Sequence, residues 1–205
     1  LTVKVKICGI TGRDDALHAT ACGADALGFV FYAGSPRCVT AETVAKISAE
    51  LPPFVSRVGL FVNEAPERIR AVAETCGLDV LQLHGDEAPQ ACLLPPYRVV
   101  KGVRPQRGDD LAGLPDYPVA ALLVDAAVPG QFGGTGQRAD WPVAAQLAAR
   151  HRVILAGGLT PENVAEAVRQ VRPYAVDVSS GVESAPGKKD PEKVARFIRN
   201  AKGLM

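Results

Sequence analysis

Hydrophobic positions along the chain change period again and again. Short runs rich in β-branched residues give way to stretches in which apolar residues recur every three or four places. Eight runs read as strands, over 3–8, 26–31, 55–62, 80–84, 98–103, 120–125, 153–156 and 175–179. The segments between them carry helix signals. Thr11 followed by Asp14 reads as a variant capping box ahead of Ala16, Leu17, Thr20 and Ala21, with Gly23 just past the end. Ile69, Val72, Ala73 and Cys76 mark a second helical face, closed by Gly77. Thr160-Pro161-Glu162 offers an N-cap, a proline at the first helical position and an acid in the first turn, before a face of Val164, Ala167, Val168 and Val171. Asp190-Pro191-Glu192 repeats that start, with Val194, Phe197, Ile198 and Ala201 as its buried stripe. The weakest helix lies between the fifth and sixth strands, where Pro105, Gly108, Gly113 and Pro115 crowd the segment.

This alternation predicts an α/β protein, a single-domain (β/α)8 TIM barrel over 1–205. Eight units in 205 residues leave about 26 each, compact beside the ~250 residues typical of the fold. A doubly wound sheet is the competing architecture. Its dinucleotide fingerprint needs G-x-G-x-x-G after the first strand, and Cys8-Gly9-Ile10-Thr11-Gly12 does not fit.

Charge narrows the function classes. Lys and Arg number 23 against 22 Asp and Glu, a net +1, which argues against a nucleic-acid partner. No apolar run reaches the ~18 residues of a membrane span, and Leu1-Thr2-Val3-Lys4-Val5-Lys6 is too polar for the core of a signal peptide. A cytoplasmic protein is expected. Five scattered cysteines without a C-x-x-C pair suggest free thiols. Cys22, Cys76 and Cys92 read as small core hydrophobes, Cys38 is undecided, and Cys8 stands apart. His18, His84 and His151 show no ligand spacing, so no metal site is expected.

Strands buried on both faces should be almost wholly apolar. Here the exceptions gather at strand C-termini: Lys6 and Cys8 on one face of the first, Gln82-Leu83-His84 ending the fourth, Val124-Asp125 the sixth, and Asp177-Val178-Ser179-Ser180 the eighth. In a (β/α)8 barrel that end is the active-site face, so Cys8, His84, Asp125 and Asp177 can converge from distant parts of the chain. One Asp or His at a strand end usually caps a helix; four on one face point to a site. Lys6 and Lys101 serve equally well as interior ion-pair partners. Glycine-rich turns follow strands seven and eight, Ala156-Gly157-Gly158-Leu159-Thr160 and Ser179-Ser180-Gly181-Val182. Loops in those two places form the recurrent phosphate cradle of the fold, so Gly157, Gly158, Ser180 and Gly181 are the candidate phosphate ligands. The segment 129–136 suggests a lid. It is no P-loop, since Gln137 stands where lysine is required, and Gly187-Lys188-Lys189 fails the same test.

Taken in order, Lys6-Ile7-Cys8-Gly9-Ile10-Thr11, Ser35-Pro36-Arg37, Leu81-Gln82-Leu83-His84-Gly85, Val124-Asp125 before Gly133-Gly134-Thr135-Gly136, Ala156-Gly157-Gly158-Leu159 and Asp177-Val178-Ser179-Ser180-Gly181-Val182-Glu183 resemble the phosphoribosylanthranilate isomerase family of tryptophan biosynthesis. The resemblance implies an Amadori rearrangement of a phosphoribosyl substrate, with no cofactor. It makes Asp125 the general acid that opens the furanose and Cys8 the general base that removes the C2′ proton. Arg37 would hold the anthranilate carboxylate, and His84 and Asp177 would join it as substrate-binding residues. The residue types suit this independently, because one step needs a proton donor and the next an acceptor. Lys6, on the face of Cys8, is expected to favour its thiolate. Two rivals are an isomerase of histidine biosynthesis, which typically uses an Asp pair, and a sugar-phosphate sensor, which would have no use for Cys8 and Asp125 together. A homodimer is compatible with the chain and not required by it.

Overall fold

The computed structural model describes residues 2–106, 108, 109, 111, 114, 116–126 and 139–204. Eight parallel strands close into a barrel in chain order. They are β1 (Lys4–Cys8), β2 (Ala26–Val30), β3 (Ser56–Phe61), β4 (Val80–Leu83), β5 (Arg98–Val103), β6 (Ala121–Val124), β7 (Val153–Leu155) and β8 (Ala175–Val178). Each observed strand falls within its predicted run. The ring closes where β1 pairs with β8, Lys6 opposite Asp177.

Period-2 alternation sorts the strand residues into two cores. Val5, Ile7, Leu27, Phe29, Leu81, Leu83, Val176 and Val178 face outwards and pack under the helices. Val100, Ala121, Leu123, Ile154, Ala156 and Ala175 fill the lower barrel interior. Above them Cys8, Val30 and Leu60 form a smaller cluster. The outer layer holds α1 (Arg13–Ala21), α2 (Ala41–Ser48), α3 (Pro66–Cys76), α4 (Trp141–Ala148), α5 (Val164–Val171) and α6 (Pro191–Lys202). α6 buries the predicted stripe of Val194, Phe197, Ile198 and Ala201, and its first turn is capped by Asp190, which accepts from the Lys193 N–H at 3.0 Å. No described helix is long and apolar enough to cross a membrane.

Four local expectations change. Thr11 does not cap α1: its hydroxyl donates to the carbonyl of Gly187, and Gly12 stands at the cap without a side-chain bond. α5 begins at Val164 rather than at Pro161, because Asn163 accepts from the Thr160 N–H and donates to the Gly158 carbonyl, folding 160–163 into a turn. After β4 only a 3-10 turn forms, Pro89–Cys92, since Pro95 and Pro96 stop any longer helix. After β5 no helix exists among the described residues, in keeping with the prolines and glycines there. The sequence pattern also missed a small hairpin, β9 (Glu183–Ala185) and β10 (Lys188–Lys189). Among the cysteines, all free, Cys76 and Cys92 are buried as expected, Cys22 is half-buried and Cys38 exposed.

Candidate active site

The C-terminal ends of the strands form a cup lined by Cys8, Arg37, His84, Asp125 and Asp177, closed on one side by Gly157, Gly158, Ser180 and Gly181. All nine residues singled out from the sequence therefore meet in one place. The segment 129–136, expected to act as a lid, lies outside the described residues.

Cys8 ends β1 pointing inwards, and it has room only because β2 carries glycine opposite. A Cβ on Gly28 would lie 2.7 Å from the Cys8 Sγ and 3.0 Å from the Lys6 Nζ. Lys6, one pleat below, is buried and ion-paired to Asp177 at 2.9 Å. Burial pushes the Cys8 thiol above its ordinary range, Lys6 draws it back, and Asp177 adds to the rise. Burial also opposes the charge on Lys6, but Asp177 and Cys8 outweigh it and hold the ammonium firmly protonated. Lys101, the other interior lysine of the sequence reading, is paired with Glu87 at 2.8 Å outside the cup.

Asp125 follows β6. Its Oδ1 accepts the N–H of Ala126 at 2.8 Å and its Oδ2 lies 3.2 Å from the Nε2 of His84. The Nδ1 of His84 in turn lies 3.0 Å from the Nε2 of Gln82. A glycine again makes the space, since a Cβ on Gly102 would sit 2.6 Å from the His84 Nδ1. His84 and Asp177 thus both face the cup while engaged with another side chain.

Arg37 reaches the cup from the loop after β2. Its Nε and Nη2 donate to the two carboxylate oxygens of Glu183, at 2.8 and 2.7 Å. Glu183 also accepts from Lys189 at 2.8 Å, and the two cations outweigh burial to hold its carboxyl below the usual range. The guanidinium is therefore fixed along one edge, leaving Nη1 and the far side of Nη2 for a ligand carboxylate. Gly9, at φ +74°, lets the Arg37 stem pass: a Cβ there would lie 2.5 Å from Cδ. The two glycine turns pack backbone to backbone, and a Cβ on Gly181 would lie 1.9 Å from the carbonyl oxygen of Leu159. Only glycine allows that approach.

Gln82, Glu183 and Lys189 were not singled out from the sequence. Gln82 could have been, as an amide on the inward face of an otherwise apolar strand. Glu183 and Lys189 pair with each other across a small hairpin, and Glu183 takes its second partner, Arg37, from 146 residues away, a pairing nothing local announces. Among the described residues no cluster of three or more His, Cys, Asp or Glu could hold a metal ion.

Comparison with known proteins converges on one family. The sequence profile of a family described as N-(5'-phosphoribosyl)anthranilate isomerase matches residues 5–200. A relative from Trichlorobacter lovleyi, named N-(5'-phosphoribosyl)anthranilate isomerase, is 57% identical over 201 residues, 98% of each chain. The crystal structure of the phosphoribosylanthranilate isomerase of Thermus thermophilus superposes with a TM-score of 0.90 at 43% identity, over 99% of this chain and all of that one. A further solved isomerase, in complex with reduced 1-(o-carboxyphenylamino)-1-deoxyribulose 5-phosphate, gives 0.87 at 45% identity, over 98% of this chain and all of that one.

Proposed function

The chain belongs to the N-(5'-phosphoribosyl)anthranilate isomerase family, and from that membership we propose how its own residues carry the reaction. It is an isomerase of tryptophan biosynthesis, converting the aminoaldose N-(5'-phosphoribosyl)anthranilate into the aminoketose 1-(2-carboxyphenylamino)-1-deoxyribulose 5-phosphate. Asp125 is the general acid: it protonates the furanose oxygen, and the ring opens to a Schiff base. Cys8, as thiolate, is the general base: it takes the C2′ proton, leaving an enolamine that tautomerises to the ketone. The free edge of Arg37 binds the anthranilate carboxylate, with His84 and Asp177 bordering the sugar. Gly157, Gly158, Ser180 and Gly181 take the phosphate through backbone N–H groups, so binding energy is drawn from a point remote from the reacting carbons.

The observation that carries this reading is the approach of a thiol and a carboxyl to one small cup from strands three apart around the barrel. A sugar-phosphate sensor would need the glycine turns and neither of those groups. The test is the loss of anthranilate-type fluorescence when fresh substrate meets the protein. Cys8→Ser and Asp125→Asn, each folded, should lower kcat by roughly 10²–10⁴-fold with little change in KM. Undiminished turnover in either variant removes that residue from the mechanism.

The assembly we propose is a homodimer through the opposite, N-terminal face of the barrel. Phe54 is 95% exposed and Tyr174 53% exposed there, beside a cavity of about 300 Å3. A solved relative from Thermotoga maritima, 44% identical, is described as a dimeric isomerase from which monomers were generated. A cytoplasmic location accords with five unpaired thiols.

A further inference from the structure

The proton that Asp125 delivers has to be held before the substrate arrives, and the hydrogen bonds around His84 bear on how. Gln82 is 1% and His84 3% exposed, so amide and ring are bonded chiefly to their protein neighbours. The Gln82 Nε2 faces the His84 Nδ1 at 3.0 Å, while the Gln82 Oε1 has no hydrogen-bond partner among the described residues. An amide nitrogen only donates, so this arrangement makes Nδ1 an acceptor and puts the single ring proton on Nε2, directed at Asp125. That is the state of a pair already emptied of its acid proton.

Adding the proton gives two forms, a neutral carboxyl facing a neutral ring or a carboxylate facing an imidazolium. In the first, the Asp125 Oδ1 is occupied by the Ala126 N–H, so the proton lies on Oδ2 against the lone pair of Nε2. The ring's own proton must then be on Nδ1. In the second, both ring nitrogens are protonated. Either way Nδ1 becomes a donor, and the group facing it must accept. Rotating the Gln82 amide by 180° supplies that acceptor, because it exchanges Oε1 for Nε2 with no change of shape. With the Gln82 Oε1 unbonded, the far end of the amide does not choose between the two orientations. The proton inventory of the pair does.

We propose that Gln82 is a positioning residue for the acid step: its oxygen-facing amide holds the His84–Asp125 pair loaded with the proton, and its nitrogen-facing amide accompanies the emptied pair. The inference rests on the reading of Asp125 as the acid. Gly102 contributes by leaving the ring space to sit against the amide. Among the described residues, the other titratable or charged groups lining the cup are Cys8 from β1, Tyr32 and Arg37 from the loop after β2, and Asp177 from β8, with Lys6 paired to Asp177 beneath. Arg104 donates to the backbone carbonyl of His84. None of these is altered in the variants below.

Two measurements test the proposal on the intact protein. Nitrogen-15 NMR of the imidazole, assigned by comparison with His84→Gln, should show Nδ1 protonated across the pH range of full activity. A proton confined to Nε2 in that range overturns the proposal. The carboxylate introduced by Gln82→Glu accepts and does not donate, whereas the thioether introduced by Gln82→Met cannot donate and accepts only weakly. The pH at which kcat falls on the alkaline side should therefore rise by roughly one unit in Gln82→Glu and stay nearly in place in Gln82→Met, which loses a bond from both forms, with KM little changed. An unmoved alkaline limb in folded Gln82→Glu overturns it too. If Asp125→Asn is inactive while that limb stays put, this inference fails and the acid assignment stands. If Asp125→Asn is fully active, the underlying reading fails instead.

Discussion

A buried thiol makes a poor thiolate, and β1 answers that with a lysine one pleat away. Burial raises the Cys8 value and Lys6 lowers it, so Lys6→Met should push the thiol higher still. The thiolate fraction at neutral pH then falls, and the acid limb of the kcat profile moves to higher pH; alkylation rate against pH checks this. An unchanged alkylation profile in a folded variant removes Lys6 from the account. Glu183 works in the opposite sense. Its carboxyl is held below 4.5 by Arg37 and Lys189, so its stabilising effect is complete above that value and disappears as pH falls through the lowered one. Glu183→Gln should therefore cost on the order of 3 kcal/mol at neutral pH, because two buried cations lose their partner. Denaturant titrations should find the gap between the two proteins shrinking below about pH 4.5. The same variant frees Arg37 to turn away from the cup, so KM should rise more than kcat falls.

At the scale of elements, the site is built as much from missing side chains as from present ones. Gly28 admits the Cys8 thiol, Gly102 the His84 ring and Gly181 the approach of two loops. Gly181→Ala must separate the turns after β7 and β8, since no rotamer relieves a clash with backbone. Substrate affinity should drop at least roughly tenfold, the worth of one hydrogen bond to a charged group, and inorganic phosphate should lose its power to inhibit. Of the elements, the strands and the α6 stripe were legible because period-2 and period-3.6 burial write themselves directly into sequence. The convergence of Cys8, His84, Asp125 and Asp177 was legible for the same reason, as polar breaks at corresponding strand ends. Thr11 misled, because the Gly187 carbonyl competes for its hydroxyl and that carbonyl is brought close only by the folded hairpin. An eight-fold pattern predicts helices after β4 and β5, whereas among the described residues only the 3-10 turn Pro89–Cys92 forms there, in keeping with the local prolines. Gln82 was visible as a polar break in its strand but carried no role, since its meaning lies in its neighbour His84.

For the molecule as a whole, the two ends of the barrel do different work. Titratable groups crowd the C-terminal end, whereas the N-terminal end presents Phe54 and Tyr174. Phe54→Glu should therefore convert a dimer to a monomer in analytical ultracentrifugation while leaving kcat within about twofold, since the cup opens at the opposite end of the barrel. A wild-type protein that sediments as a monomer refutes the dimer directly. The order of strands carries one more implication. Cys8, Arg37 and His84, the proposed base and two substrate-binding residues, all belong to the first half of the chain, β1 through β4, while Asp125, the proposed acid, Asp177 and both glycine turns belong to β6 through β8. Neither half contains a reaction. Cut between β5 and β6 and expressed as two pieces, the barrel becomes a logic gate, in which a tryptophan auxotroph grows only when the halves find each other.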